Sequence, residues 1–369
     1  MNDLWYRIAN ESEVSSPALL VYPDRIARNI QAMIDMVGDV SRLRPHVKTH
    51  KMSEVIGMHV DAGIVCFKCA TIAEAEMVAG AGGTDVLLAH QPVGPTIERV
   101  AALADRFPSV RFSVAVDDEG VVDALSRVFS GRSDSLAVFI DVDNGQHRTG
   151  VSPGERAVAL YRRIADAPGL VPGGIHAYDG HRHESDARER QEKSEAEFGA
   201  VIGLRSELAA LGLEVPSLVV GGSPSFPIHA LHEDRVCSPG TTTLWDFGYG
   251  DQFPDLPFVH AAVLLTRVIS RPTENRITLD LGHKAVAADK APPRARMFGL
   301  EDALPVIHNE EHLTVETPRA KESEVGDCLY AIPGHVCPTV ALHEEVWVVR
   351  NGRASEHWQV EARRRRLSV

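Results

Sequence analysis

Two lysines and two histidines fall within the eight residues Arg44-Pro45-His46-Val47-Lys48-Thr49-His50-Lys51. They follow an apolar run and so stand where a buried strand would end. A lysine desolvated there can be held neutral, and a neutral amine can form an imine with a carbonyl. Near the other end of the chain, Pro333-Gly334-His335-Val336-Cys337-Pro338 sets a histidine and a cysteine one residue apart. In extended backbone, i and i+2 share a face. An imidazole and a thiolate so placed can converge on a soft or borderline cation such as zinc. An imine-forming lysine and a metal-binding pair are the chemistry these residue types offer.

The elements that must position them read as follows. Apolar strand-like runs at 43–48, 66–70, 86–90, 112–116, 137–142, 174–178, 218–221 and 236–239 alternate with helix-period segments. One of these helices opens at Thr71 with Glu74 three residues on, a capping-box spacing. A long one spans 185–213. Buried strands alternating with helices imply a parallel sheet, and eight such units fit a closed (β/α)8 barrel over residues 24–250. After about Pro257 the runs 261–270, 276–281, 312–316, 329–332 and 346–350 lack intervening helices. They predict an antiparallel β domain from residues 251–369, joined by 1–23.

Active sites of such barrels lie at the C-terminal ends of the strands, and the polar clusters fall there. Lys48, His46 and His50 end the first strand. Asp141, Asp143, Asn144, His147 and Arg148 follow the fifth. His176, Tyr178, Asp179, His181 and His183 follow the sixth. Gly221, Gly222 and Ser223 follow the seventh, and Gly240, Thr241 and Thr242 the eighth. Glycines let backbone N–H groups approach an anion and hydroxyls add donors, so the last two clusters suit a phosphate.

The chain has 369 residues, 44% of them hydrophobic, and a formal net charge of −13. That length suits two domains. The charge argues against a nucleic-acid surface, since no basic stripe offsets it. The basic run from Arg363 to Arg366 reads as a solvated tail. No apolar stretch approaches the ~20 residues of a membrane span. The N-terminus, Met1-Asn2-Asp3-Leu4, has no signal-peptide features. Five scattered cysteines suit a reducing cytoplasm. Cys66 and Cys69 read as core residues on opposite faces of a strand and not as a ligand pair.

Taken together, Arg44-Pro45-His46-Val47-Lys48-Thr49-His50-Lys51, Asp143-Asn144-Gly145-Gln146-His147-Arg148-Thr149-Gly150, His176-Ala177-Tyr178-Asp179-Gly180-His181, Gly221-Gly222-Ser223-Pro224, Ser238-Pro239-Gly240-Thr241 and His335-Val336-Cys337 resemble, in order and over nearly the whole chain, the D-threonine aldolase and D-serine dehydratase family. These are fold-type III pyridoxal-phosphate enzymes with an alanine-racemase-like N-terminal barrel. The resemblance implies that Lys48 carries pyridoxal 5'-phosphate through an imine, while Lys51 lies in solvent. It implies that Arg148 stands by the phenolate oxygen and Tyr178 near the pyridine ring. Gly222, Ser223, Gly240 and Thr241 would hold the phosphate. His335 and Cys337 would bind a divalent metal, zinc or manganese, with the thiolate favouring zinc. His181 would face the β-hydroxyl of a D-β-hydroxy amino acid and take its proton. The implied activity is cleavage to glycine and an aldehyde, with dehydration of D-serine to pyruvate and ammonia as the alternative. A homodimer is also implied. A different reading, a metal-only hydrolase built on His181, His183 and Asp179, needs no lysine.

Overall fold

After β1 (Ala18–Val21), which joins a different sheet, the strands β2 (Cys66–Cys69), β3 (Asp85–Leu88), β4 (Arg111–Val116), β5 (Leu136–Val142), β6 (Leu170–Ala177), β7 (Leu218–Val220) and β8 (Val236–Cys237) lie side by side in chain order. All their pairings are parallel. The structure, a computed structural model, describes residues 4–369. Residues 1–3, part of the N-terminus read above, lie outside it.

The first of the eight expected barrel strands is reduced to bridges. Leu43 bridges Cys237 and His46 bridges Lys68, both parallel. Arg44 N–H donates to Cys237 O, His46 N–H to Pro239 O, and Lys68 N–H to Pro45 O. Residues 43–46 thus join β8 to β2 and close the ring. Pro45 has no N–H to donate, which interrupts a continuous ladder at this point. The chain then turns through a 3-10 helix, Val47–Thr49, so Lys48 sits in this turn rather than at the end of a strand.

Inside the barrel, Leu87, Ala115, Phe139 and Val219 form a buried layer. Phe139 has room because β6 passes it with Gly173, where a Cβ would lie 2.6 Å from the ring. Register against β5 shifts here: Val138 pairs with Pro172 but Phe139 with Gly174. This bulge resets the alternation, so Asp141 and His176 become direct neighbours. Gly174 has φ +127, and a Cβ on it would stand 1.9 Å from Ser217 O.

Helix signals hold. Thr71 Oγ1 accepts from Glu74 N–H at 3.1 Å, and the Glu74 carboxylate accepts from Ala70 N–H at 2.6 Å. The long helix runs Ala187–Ala210, capped by Asp186.

The chain divides into two compact units. The barrel unit comprises Gln31–Lys48, Ser53–Gly240 and Arg364–Val369. The other comprises the chain up to Ile30, Thr49–Met52 and Thr241–Arg363. The second unit is a sheet of β9 (Ala262–Thr273), β10 (Arg276–Leu279), β11 (Ala295–Met297), β12 (Leu304–His308), β13 (Leu313–Glu316), β14 (Cys328–Pro333), β15 (Glu345–Arg350) and β16 (Arg353–Gln359), with β1 between β9 and β15. It is antiparallel apart from the parallel pair β1–β15. Leu20, Tyr22, Val263, Leu265 and Tyr330 fill its core. The strands β11 and β16 have no apolar run to announce them, and Pro305 interrupts the run in β12.

In the basic run, Arg364, Arg365 and Arg366 are exposed as expected, while Arg363 is half-buried and its Nε donates to Ala341 O at 2.6 Å. Among the described residues no helix is long and apolar enough to cross a membrane.

The β6 bulge yields a stability prediction. Gly174→Ala should destabilise the protein by roughly 3 kcal/mol in urea unfolding, from the clash with Ser217 O and the positive φ. Gly203→Ala, in the middle of the long helix with nothing within 4 Å of a new Cβ, should stabilise it by about 0.5–1 kcal/mol. Equal effects of the two would contradict the assignment.

Candidate active site

Lys48 and its neighbours are held by short local bonds. His46 Nδ1 accepts from Lys48 N–H at 3.2 Å, and His50 Nδ1 accepts from Met52 N–H at 3.2 Å. The two histidines therefore shape the turn that presents the lysine. Lys51, expected in solvent, is half-buried with φ 56.

Three cations gather at one ring. Lys48 Nζ lies 5.5 Å, Lys68 Nζ 5.4 Å and the Arg148 guanidinium 5.0 Å from the centre of Tyr178. Sequence reasoning placed Lys48, Arg148 and Tyr178 here and missed Lys68, which it passed over inside Cys66-Phe67-Lys68-Cys69. The available signal was a lysine in an otherwise apolar strand. Lys68 is 2% exposed. Burial, and next the repulsion of Lys48, bring its amine down from 10.5 to about 7.

Lys68 ends a chain of contacts across the barrel. Asp141 Oδ1 lies 2.7 Å from His176 Nδ1, and His176 Nε2 lies 3.4 Å from Lys68 Nζ. Burial raises the Asp141 carboxyl, but the bond and charge of His176 outweigh it and hold it below the ordinary range. Burial also keeps the His176 imidazole below its usual value despite Asp141. An ionised Asp141 takes Nδ1–H, so the Nε2 lone pair faces Lys68.

The glycine turn after β7 is built on Asp179. Its carboxylate accepts from Gly222 N–H at 3.0 Å, Ser225 Oγ at 2.6 Å and His229 Nε2 at 2.7 Å. Asp179 is 3% exposed. Its burial raises the carboxyl, yet His229 and these donors outweigh that and hold it low. Asp179 is thereby committed to the turn, which removes it from the metal-only reading, and His183 is exposed. The N–H of Gly222 is likewise committed. Gly222 still has a steric role, because a Cβ there would meet the Tyr178 ring at 3.0 Å. Ser223 and Gly240 are brought together, the N–H of Gly240 donating to Ser223 Oγ at 3.2 Å. Thr241, expected with them, has its hydroxyl 3.5 Å from Cys337 Sγ.

His181 meets a partner that no motif announced. Its Nε2 lies 2.8 Å from Glu197 Oε2, and Arg182 Nη2 donates to Glu197 Oε1 at 3.0 Å.

In the second unit, His335 and Cys337 do converge, though not in extended backbone. A helix begins at Val336 (Val336–Leu342), with His335 as its N-cap residue. Asp246 accepts from Val336 N–H at 2.9 Å, which stabilises that helix start. Burial lowers His335, but hydrogen bonds and charge from Cys337 and Asp289 outweigh it and raise it to about 9. Burial raises Cys337, but His335, Thr241 and Thr49 outweigh it and hold the thiol below its ordinary value. Asp289 Oδ2 sits 2.5 Å from His335 Nδ1.

The residues around Tyr178 fit an anionic aromatic group such as pyridoxal phosphate. Their cations are Lys48, Lys68 and Arg148, while the nearby carboxylates of Asp141 and Asp179 are already bonded to His176 and His229. Among the described residues no group of three or more His, Cys, Asp or Glu is arranged to hold a metal. His335 and Cys337 are donors of the kind a thiophilic divalent ion takes, and Asp289 would orient the imidazole of such a pair.

Nearly the whole chain is similar to known proteins. Residues 21–244 match the family described as "Alanine racemase, N-terminal domain", and residues 261–349 match "Putative serine dehydratase domain". The chain is 30% identical over 368 residues to 3-hydroxy-D-aspartate aldolase of Paracoccus denitrificans (strain Pd 1222), covering 96% of this chain and 93% of that protein. It is 29% identical over 359 residues to D-threonine aldolase of an Arthrobacter species, covering 95% and 93%. The crystal structure of D-threonine aldolase from Filomicrobium marinum superposes with a TM-score of 0.88 at 30% identity, over 95% of this chain and 96% of that one.

Lys68 makes stability depend on pH. Between about pH 7 and 10.5 the unfolded chain binds a proton that the folded chain lacks, so stability rises with pH across that window and the full burial penalty is present below it. For protein stripped of cofactor, Lys68→Met should add about 4 kcal/mol in urea unfolding at pH 6 and progressively less toward pH 10. A gain that is the same at every pH would show that Lys68 does not titrate in this range.

Proposed function

The chain belongs to the D-threonine aldolase and D-serine dehydratase family of fold-type III pyridoxal-phosphate enzymes, and from that premise we propose that it is a metal-assisted D-threonine aldolase. On this reading it cleaves D-β-hydroxy amino acids to glycine and an aldehyde. The observation that carries it is the convergence of Lys48, Lys68 and Arg148 on the Tyr178 ring at the C-terminal mouth of the barrel.

Lys48 is the residue that holds the cofactor covalently. Arg148 offers a fixed cation to the phenolate oxygen. Ser223, Gly240 and Thr241 serve the phosphate, while Gly222 keeps the surface beside Tyr178 free of a side chain. Bound there, pyridoxal phosphate supplies the electron sink for the pair left on Cα when the Cα–Cβ bond breaks. A divalent ion on His335 and Cys337 supplies Lewis-acid polarisation of the β-hydroxyl, and zinc suits the thiolate better than manganese. His181 takes the hydroxyl proton as that bond opens. We assign the cofactor to residues 24–250 and the metal pair to the β domain of residues 1–23 and 251–369. Completion of the site requires that pair to reach the substrate, from the same chain or from the second copy of a homodimer. Five free cysteines support a reducing, cytoplasmic setting.

The alternative is D-serine dehydratase, and the second matched domain, described by that activity, favours it as a specific competitor. The purified holoenzyme should release acetaldehyde and glycine from D-threonine. Pyruvate and ammonia from D-serine, without aldehyde from D-threonine, would point to the alternative. Neither product would overturn both. Chelation should abolish turnover and zinc or manganese restore it; Cys337→Ser should weaken zinc binding, because a hydroxyl is a poorer zinc ligand than a thiolate, and Asp289→Ala should weaken it about 10–100-fold.

A further inference from the structure

Three elements meet at the His181 imidazole. His181 lies on the loop after β6, Glu197 on the helix Ala187–Ala210, and Gly145 on the loop after β5. Glu197 is held at both oxygens, Oε2 at 2.8 Å from His181 Nε2 and Oε1 accepting from Arg182 Nη2 at 3.0 Å. The Arg182 side chain is 8% exposed, so the clamp on the carboxylate is itself fixed. Gly145, at φ +119, closes the third side. A Cβ there would stand 3.3 Å from both Glu197 Oε2 and His181 Nε2. The loop therefore packs backbone against the pair, and Gly145 N–H is tied to Asp143 Oδ1 at 3.1 Å. The other ring nitrogen, Nδ1, is buried and has no hydrogen-bond partner among the described residues.

We propose that Glu197 is the positioning residue of His181, fixing the Nε2–H tautomer so that the buried Nδ1 lone pair is the site that accepts the substrate's β-hydroxyl proton. An ionised carboxylate can only accept, so the proton of a neutral imidazole bound to it must sit on Nε2. Nδ1 then keeps its lone pair in a place where no protein donor competes for it. A histidine free to choose tautomers would present N–H at that point for part of the time and could take no proton there. The same logic governs the carboxylate behind the base histidine of serine proteases, where the amide replacement selects the wrong tautomer. The proton balance is simple. The hydroxyl O–H breaks, Nδ1–H forms, and the Glu197 carboxylate stabilises the resulting positive charge on the His181 imidazolium without itself being protonated. This rests on the reading of His181 as the base in the proposed reaction.

The test uses the holoenzyme with D-threonine and 15N-histidine labelling. His181→Asn assigns the His181 signals by their loss and should remove turnover. In the wild type, His181 should show the Nε2–H tautomer. The isosteric Glu197→Gln should lower kcat about 10²-fold with KM changed less than about twofold, and should shift His181 toward Nδ1–H. Glu197→Asp, which keeps an acceptor, should recover part of kcat. An Nδ1–H tautomer in the wild type, or full kcat in Glu197→Gln while His181→Asn is inactive, would overturn the positioning role alone. Full kcat in His181→Asn would overturn the assignment of the base, and this inference with it. A helix ion pair with only a structural role would lower Tm in Glu197→Gln and leave kcat and the tautomer unchanged.

Discussion

Burying the Lys68 amine inside the barrel, 2% exposed and 3.4 Å from His176, sets the terms for what surrounds Tyr178. A buried ammonium is costly unless an anion answers it. The carboxylate in reach through His176 is Asp141, and it acts at one remove. The carboxylate of Asp179 is turned toward His229 and the glycine loop. With Lys48 and Arg148 at the same ring, the local balance is positive in an acidic protein whose net charge is −13. A phosphorylated, phenolate-bearing aromatic restores that balance. The apolar layer of Leu87, Ala115, Phe139 and Val219 lies in the same barrel interior, where low polarity strengthens each of these charge effects.

In each unit, orientation comes from carboxylates that hold imidazoles. Asp141 holds His176, Asp179 holds His229, Glu197 holds His181 and Asp289 holds His335. Each pairing fixes a ring, and where the ring is neutral it decides which nitrogen carries the proton. The roles then separate by location. The first faces a buried amine, the second stiffens the glycine turn, the third leaves an acceptor nitrogen without a partner, and the fourth stands behind a thiolate–imidazole pair. The glycines follow from the same crowding. Gly222 yields to the Tyr178 ring, Gly145 to the His181–Glu197 pair, and Gly174 to the β6 bulge that makes Asp141 and His176 neighbours.

The barrel is legible in the sequence because parallel strands buried on both faces leave long apolar runs, and seven of the eight expected runs became strands. The eighth shows the limit of pattern reading. Residues 43–46 do close the ring, but Pro45 denies them a ladder, and Lys48 leaves through a 3-10 turn. The pairing of His335 with Cys337 is visible as spacing, while its geometry depends on Asp246, ninety residues away, starting a helix between them. What stayed hidden depends mostly on contacts between residues far apart in the chain. Lys68 sits in a short strand run that reads as core. Glu197 is one charge among many on a helix rich in them, and only the fold brings it to His181. Gly222 has its N–H bonded to Asp179, and what the fold requires at this position is the lack of a side chain beside Tyr178.

The central claim is that Lys48, and neither Lys51 nor the buried Lys68, forms the imine with the cofactor. Borohydride reduction of the holoenzyme, followed by digestion and mass spectrometry, reads this directly. A single phosphopyridoxyl group on Lys48 is the predicted result. The same group on Lys68 or Lys51, or no trapped cofactor at all, would contradict the account.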